Sequence, residues 1–378
     1  MEFDRKSVTT TGRLANGVAL RILYDHQVFA AQRWGGVSRY FAELAQGIAR
    51  TETVAVHAPI YLSKCLEGIP RDLVRGMRFP EFPGVRGLAN VVARLARTRA
   101  PFDVFHPTWY GKAGWKPAGA VVAHTVYDLI AELFPEDHWS YPIQAAAKKL
   151  AISQADLVFC ISESTKSDLI GVLGVDPAKI VVTHLGSSIQ LLAPHTPPMD
   201  YPYILYVGQR TGYKNFLSLL EAFRSSSNLQ QEFGLVCFGG GAFSQSERAD
   251  IDNLMGRGRG LVSNLQGDDR LLAGAYRAAA VFVCPSRYEG FGMPVLEAMA
   301  CACPVVATPI SSLPEVGGDA VMYSQDESAE ALRYAIEALV QDSAALVQAK
   351  TRGLSRARQF SWDATTATTL VGYRSRVG

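Results

Sequence analysis

The sequence predicts an α/β protein with two Rossmann-like domains, each a parallel sheet covered by helices. Short, fully apolar runs such as 281–284 and 305–307 are typical of strands buried on both faces of a parallel sheet. These runs alternate along the chain with glycine-bearing loops and amphipathic helices. A chain of 378 residues also exceeds what one hydrophobic core usually organises, so two domains are expected.

The composition excludes several classes of protein. The 37 lysines and arginines nearly balance the 35 aspartates and glutamates, so a nucleic-acid partner is not expected. Six cysteines occur without a CxxC pair, and Cys160, Cys237 and Cys284 lie inside apolar runs, which favours a reduced, cytoplasmic compartment. The polar residues before Val18 lack the apolar segment of a signal peptide, and no apolar run is long enough to span a bilayer.

The first domain is expected to occupy residues 18–195 and to begin with a strand at 18–24. Two glycines at 35 and 36 then break the chain before an amphipathic helix at 37–49. Further strands are predicted at the apolar runs 102–106, 121–126, 155–161 and 180–186. Ser162 follows one of these runs and is a typical helix cap.

The second domain is expected to occupy residues 200–358, after an extended, proline-rich linker at 193–198. Its strands are predicted at 203–207, 235–238, 262–266, 281–284 and 305–307. Glycines follow several of these strands directly, and open α/β sheets bind their ligands at such strand ends. Helices are predicted at 327–340 and 343–360, and the residues from 359 to 378 should form a last helix.

The most informative stretch, 281–307, reads strand, glycine-bearing loop, short helix and strand. Its loop presents backbone amides and the positive end of a helix dipole to an anion, and Pro294 fits the first position of that helix. Glu289 and Glu297 bracket the loop. Because carboxylates repel phosphate, these two are expected to accept hydrogen bonds from the hydroxyls of a sugar and a ribose. The pattern therefore predicts a nucleotide-sugar site, and the alternative is a βαβ unit whose glutamates are merely solvated.

The segment EGFGMPVLEAMACACPVVA, followed by SSLPEVGGDAV, resembles the paired-glutamate signature of family 4 retaining glycosyltransferases with the GT-B fold. The resemblance implies two Rossmann-like domains facing across a cleft, with a C-terminal helix that crosses back to the first domain. It implies that Glu289 contacts the transferred sugar and that Glu297 contacts the ribose. The residues between them that are expected to bind the donor are Gly290, Phe291, Gly292, Met293, Pro294 and Val295.

Other segments resemble further donor-binding loops of the same family. GQRTGYKNFLSLLEAF resembles a loop with two cations, which implies that Arg210 and Lys214 neutralise the diphosphate and assist its departure. The other residues expected near the donor are Gly35, Gly36, Gly208, Gly239, Gln266 and Gly267. For the glycine pair at 35 and 36, a plain helix-start turn is the alternative.

The first domain departs from the family at one position. The family often carries His-Asp after the strand that corresponds to 121–126, whereas this chain has Tyr127-Asp128 there. Asp128 is expected near the acceptor or the donor sugar, and the role of the family's histidine near the reacting sugar cannot pass to Tyr127. His124, three residues earlier, either takes that role or is a hydrogen-bonded core residue.

The function implied is transfer of a hexose from a nucleotide diphosphate sugar to a hydroxyl of a glycan or lipid-linked acceptor. YDHQVFAAQRWGGVSRYF together with TVYDLIAELFP looks most like bacterial mannosyltransferases of polysaccharide and O-antigen assembly, which favours GDP-mannose as donor. The alternatives are a UDP-sugar-dependent transferase, a non-catalytic sugar-nucleotide-binding protein of the same fold, and a nucleotide-sugar 2-epimerase.

No metal or other cofactor is expected beyond the donor. Asp250-Ile251-Asp252 formally matches the DxD metal motif of the other glycosyltransferase fold, but it lies in a polar, helix-like segment. The charge of the leaving group is already assigned to cations and a helix terminus.

The stretch 71–99 is the one region with lopsided charge, because seven arginines face two acidic residues, a net charge of +5. Residues 88–99 have the pattern of a basic amphipathic helix. Such a helix could rest on anionic lipid headgroups at the inner membrane face. The alternative is an ordinary surface helix that packs its apolar face on the sheet.

Overall fold

The computed structural model describes residues 19–96, 100–111, 116–189, 198–210, 212–255 and 261–377. Several features named above fall outside these ranges. They are the residues up to Val18, Arg97, Arg99 and the linker residues 193–197.

Within the described residues, seven parallel strands form the first sheet, in the spatial order β3-β2-β1-β4-β5-β6-β7. The strands are β1 (Arg21–Tyr24), β2 (Thr53–Tyr61), β3 (Val74–Arg78), β4 (Val104–His106), β5 (Val121–Val126), β6 (Leu157–Cys160) and β7 (Ile180–Val182). Six parallel strands form the second sheet in the described part of the chain, in the order β10-β9-β8-β11-β12-β13. They are β8 (Tyr203–Val207), β9 (Gly234–Phe238), β10 (Val262–Leu265), β11 (Val281–Cys284), β12 (Val305–Ala307) and β13 (Met322–Tyr323). The expected class, two Rossmann-like parallel sheets, is confirmed.

Helices connect the strands of both sheets. Those of the first half are α1 (Gln27–Ala31), α2 (Gly36–Ile48), α3 (Val85–Leu95), α4 (Ile130–Leu133), α5 (Tyr141–Ser153) and α6 (Glu163–Leu173). Those of the second half are α7 (Phe216–Arg224), α8 (Ser227–Glu232), α9 (Gln245–Met255), α10 (Asp269–Ala278), α11 (Met293–Ala300), α12 (Leu313–Gly317), α13 (Ala329–Gln341), α14 (Ser343–Ala357) and α15 (Trp362–Val377). No helix of the described ranges is both long and apolar enough to cross a membrane.

The sequence did not predict β2 and β3. β2 contains His57 and Pro59, which interrupt an otherwise apolar run, and the pairing with β3 shifts register between His57 and Ile60. β3 lies at the edge of the sheet, and four of its five residues are exposed. The signal of a strand buried on both faces is therefore absent from β3 and broken in β2.

The last helix packs on the first sheet, as expected. The hydroxyl of Tyr373 on α15 lies 2.6 Å from Nδ1 of His106 and 3.2 Å from the hydroxyl of Tyr24. Thr365, which lies earlier on the same helix, donates to the carbonyl of His184 at 2.6 Å. Because these partners lie in or beside β1, β4 and β7, the chain's end is fixed to the domain in which the chain begins.

Candidate active site

The loop between β11 and α11 is almost entirely buried, with Arg287 its exposed residue. Gly292 adopts a positive φ of 91° and precedes α11, which begins at Met293, so Pro294 takes the second helical position rather than the first. The N–H of Val295 already donates to the carbonyl of Gly292 at 2.9 Å. That amide therefore belongs to the first turn of the helix, and the donor-binding role of Val295 stays a prediction.

Glu289 and Lys214 form an ion pair. Lys214 ends a 3-10 turn after β8, and its Nζ lies 2.7 Å from Oε1 of Glu289. Ser286 donates to the same oxygen at 2.7 Å, whereas no described residue donates to Oε2. Burial lowers the pKa of Lys214, but the charge of Glu289, its hydrogen bond with the lysine and the nearby Tyr213 and Cys284 together raise that pKa above its usual value. The lysine is therefore fully charged, and the structure brings two of the predicted catalytic residues into direct contact.

The guanidinium of Arg210 is bound by groups of the second domain. Its buried guanidinium donates to Glu247 at 2.7 Å and to the carbonyls of Gly239 and Gly241 at 2.7 and 3.0 Å. The side chain thus fixes the glycine-rich turn after β9. A phosphate contact would require some of these hydrogen bonds to be exchanged, so this role of Arg210 stays a prediction.

Glu297 lies on α11, one turn beyond Pro294, and is partly buried. The hydroxyl of Tyr276 on α10 donates to its Oε2 at 3.4 Å. Burial raises the pKa of Glu297 to about 7, although the positive charge of Arg39 opposes this rise. Near neutral pH this carboxyl is therefore divided between its protonated and charged forms.

Gly290 brings the two domains together. A Cβ on this residue would overlap the carbonyl oxygen of Tyr127 and approach the side chain of Asp128, so only glycine permits this close packing. Two hydroxyls at the start of α6, those of Ser162 and Thr165, donate to the carbonyl of Gly290 at 2.7 and 3.1 Å. The predicted donor loop therefore contacts the first domain directly, and Asp128 lies next to it.

Asp128 and His124 have different surroundings. Lys148 donates to the backbone carbonyl of Asp128 at 2.8 Å and to Glu132 at 2.8 Å, which fixes the segment after β5. The carboxylate of Asp128 accepts from the N–H of Ile130 and remains partly exposed. His124 is buried within β5, and burial lowers its pKa to about 4, so its imidazole is uncharged at neutral pH. The imidazole lies beside the ring of Tyr110, with 6.3 Å between the two centroids, and a catalytic role for His124 stays a prediction.

Gly35 and Gly36 lie at the start of α2, and Gly35 precedes the first helical residue. In the first turn of the same helix, Arg39 forms an ion pair with Asp269 of α10. Because Arg39 also influences the charge of Glu297, the start of α2 lies close to the predicted ribose site. The structure therefore places the glycine pair at a helix start, near the second domain.

The remaining predicted residues lie at the ends of β8, β9 and β10. Since these strands are parallel neighbours, their carboxyl ends share one edge of the sheet. Gly208 donates to the carbonyl of Phe238, and Gly239 donates to that of Leu265, at 3.0 and 2.9 Å. Gln266 and Gly267 follow at the same edge and lead into α10.

Sequence reasoning missed several polar residues that hold this site. Asn215 donates to the carbonyls of Pro285 and Glu327 at 3.1 and 2.9 Å, which joins the loop of Lys214 to the loop of Glu289. Glu315 accepts from the N–H of Glu163 at 2.8 Å and lies 2.6 Å from His184. These contacts left no local signal in the sequence, because each of them joins residues far apart in the chain.

Two family descriptions match the chain. Residues 189–356 match "Glycosyl transferases group 1", and residues 35–186 match "Glycosyl transferase 4-like domain". The chain is 32% identical over 267 residues to the O-antigen chain mannosyltransferase B of Escherichia coli, covering 66% of this chain and 69% of that protein. It is 31% identical over 400 residues to the alpha-maltose-1-phosphate synthase of Mycobacterium tuberculosis, covering 94% and 99%.

A solved structure has the same fold. HepE of Anabaena, in complex with UDP and glucose, superposes with a TM-score of 0.71, covering 94% of this chain and all of that one. Its sequence identity of 19% supports the fold alone. The expected GT-B architecture is confirmed by this likeness together with the two parallel sheets.

Proposed function

Because the chain belongs to the group 1 glycosyltransferases and is a hexosyltransferase, we propose that it transfers mannose from GDP-mannose to a glycan or lipid-linked acceptor, with retention of configuration. The observation that carries the proposal is the ion pair between Lys214 and Glu289 at the junction of the two domains. It holds a cation for a departing phosphate beside a carboxylate for sugar hydroxyls. The choice of mannose is supported by the relative that is an O-antigen mannosyltransferase.

In the proposed reaction, the bond from the sugar's anomeric carbon to the diphosphate breaks, and the acceptor oxygen bonds to that carbon on the same face. The departing phosphate oxygen takes the proton of the acceptor hydroxyl, so no side-chain base is needed. Lys214, and Arg210 if it releases its loop carbonyls, stabilise the charge on the diphosphate. Glu289 orients the sugar, Glu297 the ribose, and Asp128 lies where the acceptor would approach.

UDP-glucose is the second candidate donor, since the structurally similar HepE binds UDP and glucose. A donor comparison separates the candidates. Purified protein is incubated with GDP-mannose or UDP-glucose, and released nucleotide and sugar epimers are followed. We expect kcat/KM for GDP-mannose to exceed that for UDP-glucose by about tenfold or more. The reverse preference contradicts the mannose proposal, binding without turnover indicates a sugar-nucleotide-binding protein, and epimers without released nucleotide indicate an epimerase.

Nucleotide affinity should depend on pH through Glu297. Ribose hydroxyls donate to the charged carboxylate, so binding lowers a pKa that burial has raised to about 7 in the free protein. Affinity for GDP should therefore be full above pH 7 and fall as the pH drops, by at most about tenfold per pH unit. Calorimetry between pH 6 and 8 measures this dependence.

The control for the pH dependence is Glu297→Gln, which lacks the titrating group. The terminal phosphate of GDP also titrates near pH 6, so the difference between the two proteins isolates the carboxyl. Identical pH profiles in both would remove Glu297 from the ribose site.

We also propose that α3 contacts an anionic membrane surface. The helix buries Val85, Ala89 and Ala93 against the sheet, while the larger Leu88, Val91 and Leu95 point to solvent. Arg94 borders this outward stripe, whereas Arg86 lies on the side of the helix that faces α1, where it donates to the carbonyl of Ala31. An apolar stripe bordered by arginine complements the acyl boundary and phosphates of anionic lipids.

Leu95→Ser should weaken the binding of the protein to vesicles that contain phosphatidylglycerol, by about tenfold, because this side chain is 81% exposed and would enter the lipid. Flotation with and without phosphatidylglycerol measures the effect. The control is Val347→Ser on α14, an apolar side chain that is 64% exposed and lies outside α3. Equal flotation of Leu95→Ser and wild type would contradict the proposal.

A further inference from the structure

Ser311 lies between β12 and α12 in a backbone conformation that side chains rarely adopt. Its φ of 51° falls in the left-handed region, where a non-glycine residue is strained. Such strain persists only where the surrounding structure enforces it, and it is concentrated at functional sites. A glycine would adopt the same conformation at no cost.

The hydroxyl of Ser311 forms two hydrogen bonds with one residue, Glu289. It accepts from the N–H of Glu289 at 2.9 Å and donates to the carbonyl of Glu289 at 3.0 Å. The adjacent Ser312, which is fully buried, donates to the same carbonyl at 2.7 Å. Both backbone polar groups of Glu289 are thus bound by side chains from the next crossover of the sheet.

The carboxylate of Glu289 is held separately, by Lys214 and Ser286 on Oε1. Because the backbone and Oε1 of Glu289 are both held by hydrogen bonds, its Oε2 has little freedom to move. In this strained conformation the hydroxyl of Ser311 contacts both backbone groups of Glu289 at once.

We propose that Ser311 is a positioning residue, whose strained backbone holds its hydroxyl against Glu289 and so aims the carboxylate at the sugar. The inference rests on the role proposed for Glu289. A purely structural alternative is that the hydroxyl only ties two loops together, and the two readings differ in what they predict for glycine at this position.

The test compares Ser311→Gly with Ser311→Ala in the full chain, with whichever donor the wild type uses. Glycine relieves the strain but removes the hydroxyl, so the melting temperature should be at least that of wild type while kcat falls about tenfold. The KM for the donor should stay unchanged, since Ser311 is assigned to aiming Glu289 at the reacting sugar and not to holding the nucleotide. Alanine retains the strain, and should lose thermal stability as well as kcat. Wild-type kcat in Ser311→Gly, or a change confined to KM, would overturn the proposal.

Ser324→Ala is the matched control, because Ser324 is a buried serine that donates to the carbonyl of Asp326 at 2.7 Å after β13 and does not contact Glu289. Its kcat should equal that of wild type. Amide hydrogen exchange gives a readout that needs no turnover, because the N–H of Glu289 should exchange faster in Ser311→Gly. Faster exchange with unchanged kcat would reduce Ser311 to a structural tie. Full activity of Glu289→Ala would instead refute the role of Glu289 itself, so the two failures are distinguishable.

Discussion

Replacing Glu289 by alanine is expected to abolish sugar transfer, with kcat lower by about 1,000-fold or more, while nucleotide still binds. Its carboxylate is assigned to the hydroxyls of the reacting sugar, and no described residue donates to its Oε2. Single-turnover transfer measures the loss, and calorimetry with GDP measures nucleotide affinity. That affinity should stay within about threefold of wild type.

The alanine variant also leaves Lys214 without its counter-ion in a buried site, which typically costs about 3–5 kcal/mol of the free energy of unfolding. Glu289→Gln separates the two effects, because it retains the shape and the hydrogen bond from Ser286 but not the charge. We expect Glu289→Gln to remain folded and still lack transfer. A surface control, Glu221→Ala, removes a carboxylate paired with Arg224 and should leave transfer unchanged. Lost nucleotide affinity with normal turnover of bound donor would contradict the assignment to the sugar.

The second sheet could be predicted closely from the sequence. β8, β11 and β12 lie where the apolar runs predicted them, because each of these strands is almost fully buried on both faces. The edge of the first sheet could not be predicted in the same way. Two of the arginines of 71–99, Arg75 and Arg78, lie in β3, an exposed edge strand that lacks the apolar run of a buried strand.

The candidate site was predictable where its chemistry is local. Gly290 and Glu289 sit in one loop, and the short spacing from Arg210 to Lys214 marked a basic turn. The sequence could not indicate which partner each cation binds. Lys214 pairs with Glu289, 75 residues later, whereas the guanidinium of Arg210 donates to Glu247 and to carbonyls of the loop after β9.

Contacts between the domains escaped prediction for the same reason. The hydroxyl of Ser162 was identified as a helix cap, and it does accept from the N–H of Thr165. It also donates to the carbonyl of Gly290, 128 residues away. A single hydroxyl thus satisfies a local and a distant group, and only the first of these leaves a pattern in the sequence.

Replacing Lys214 by methionine should slow turnover by about 100- to 1,000-fold, because a departing diphosphate would lose its nearest cation. Methionine keeps much of the length and volume of lysine, so the change removes charge rather than packing. The effect should appear in kcat with the same donor, since stabilisation of the leaving group develops as the bond to phosphate breaks. Stopped assays over a range of donor concentrations separate kcat from KM.

The comparison that decides this role is Lys166→Met, which removes a lysine paired with Glu163 on the surface of α6 at 3.2 Å. That pair is solvent-exposed and contributes little, so turnover should equal that of wild type. Loss of Lys214 also removes the ion pair of Glu289, so the rate could fall through Glu289 rather than through the diphosphate.

A donor with a better leaving group separates the two effects, because it should recover part of the lost rate if Lys214 acts on the diphosphate. If such a donor recovers nothing, the lysine acts by holding Glu289 in place, and its assignment to the leaving group is wrong.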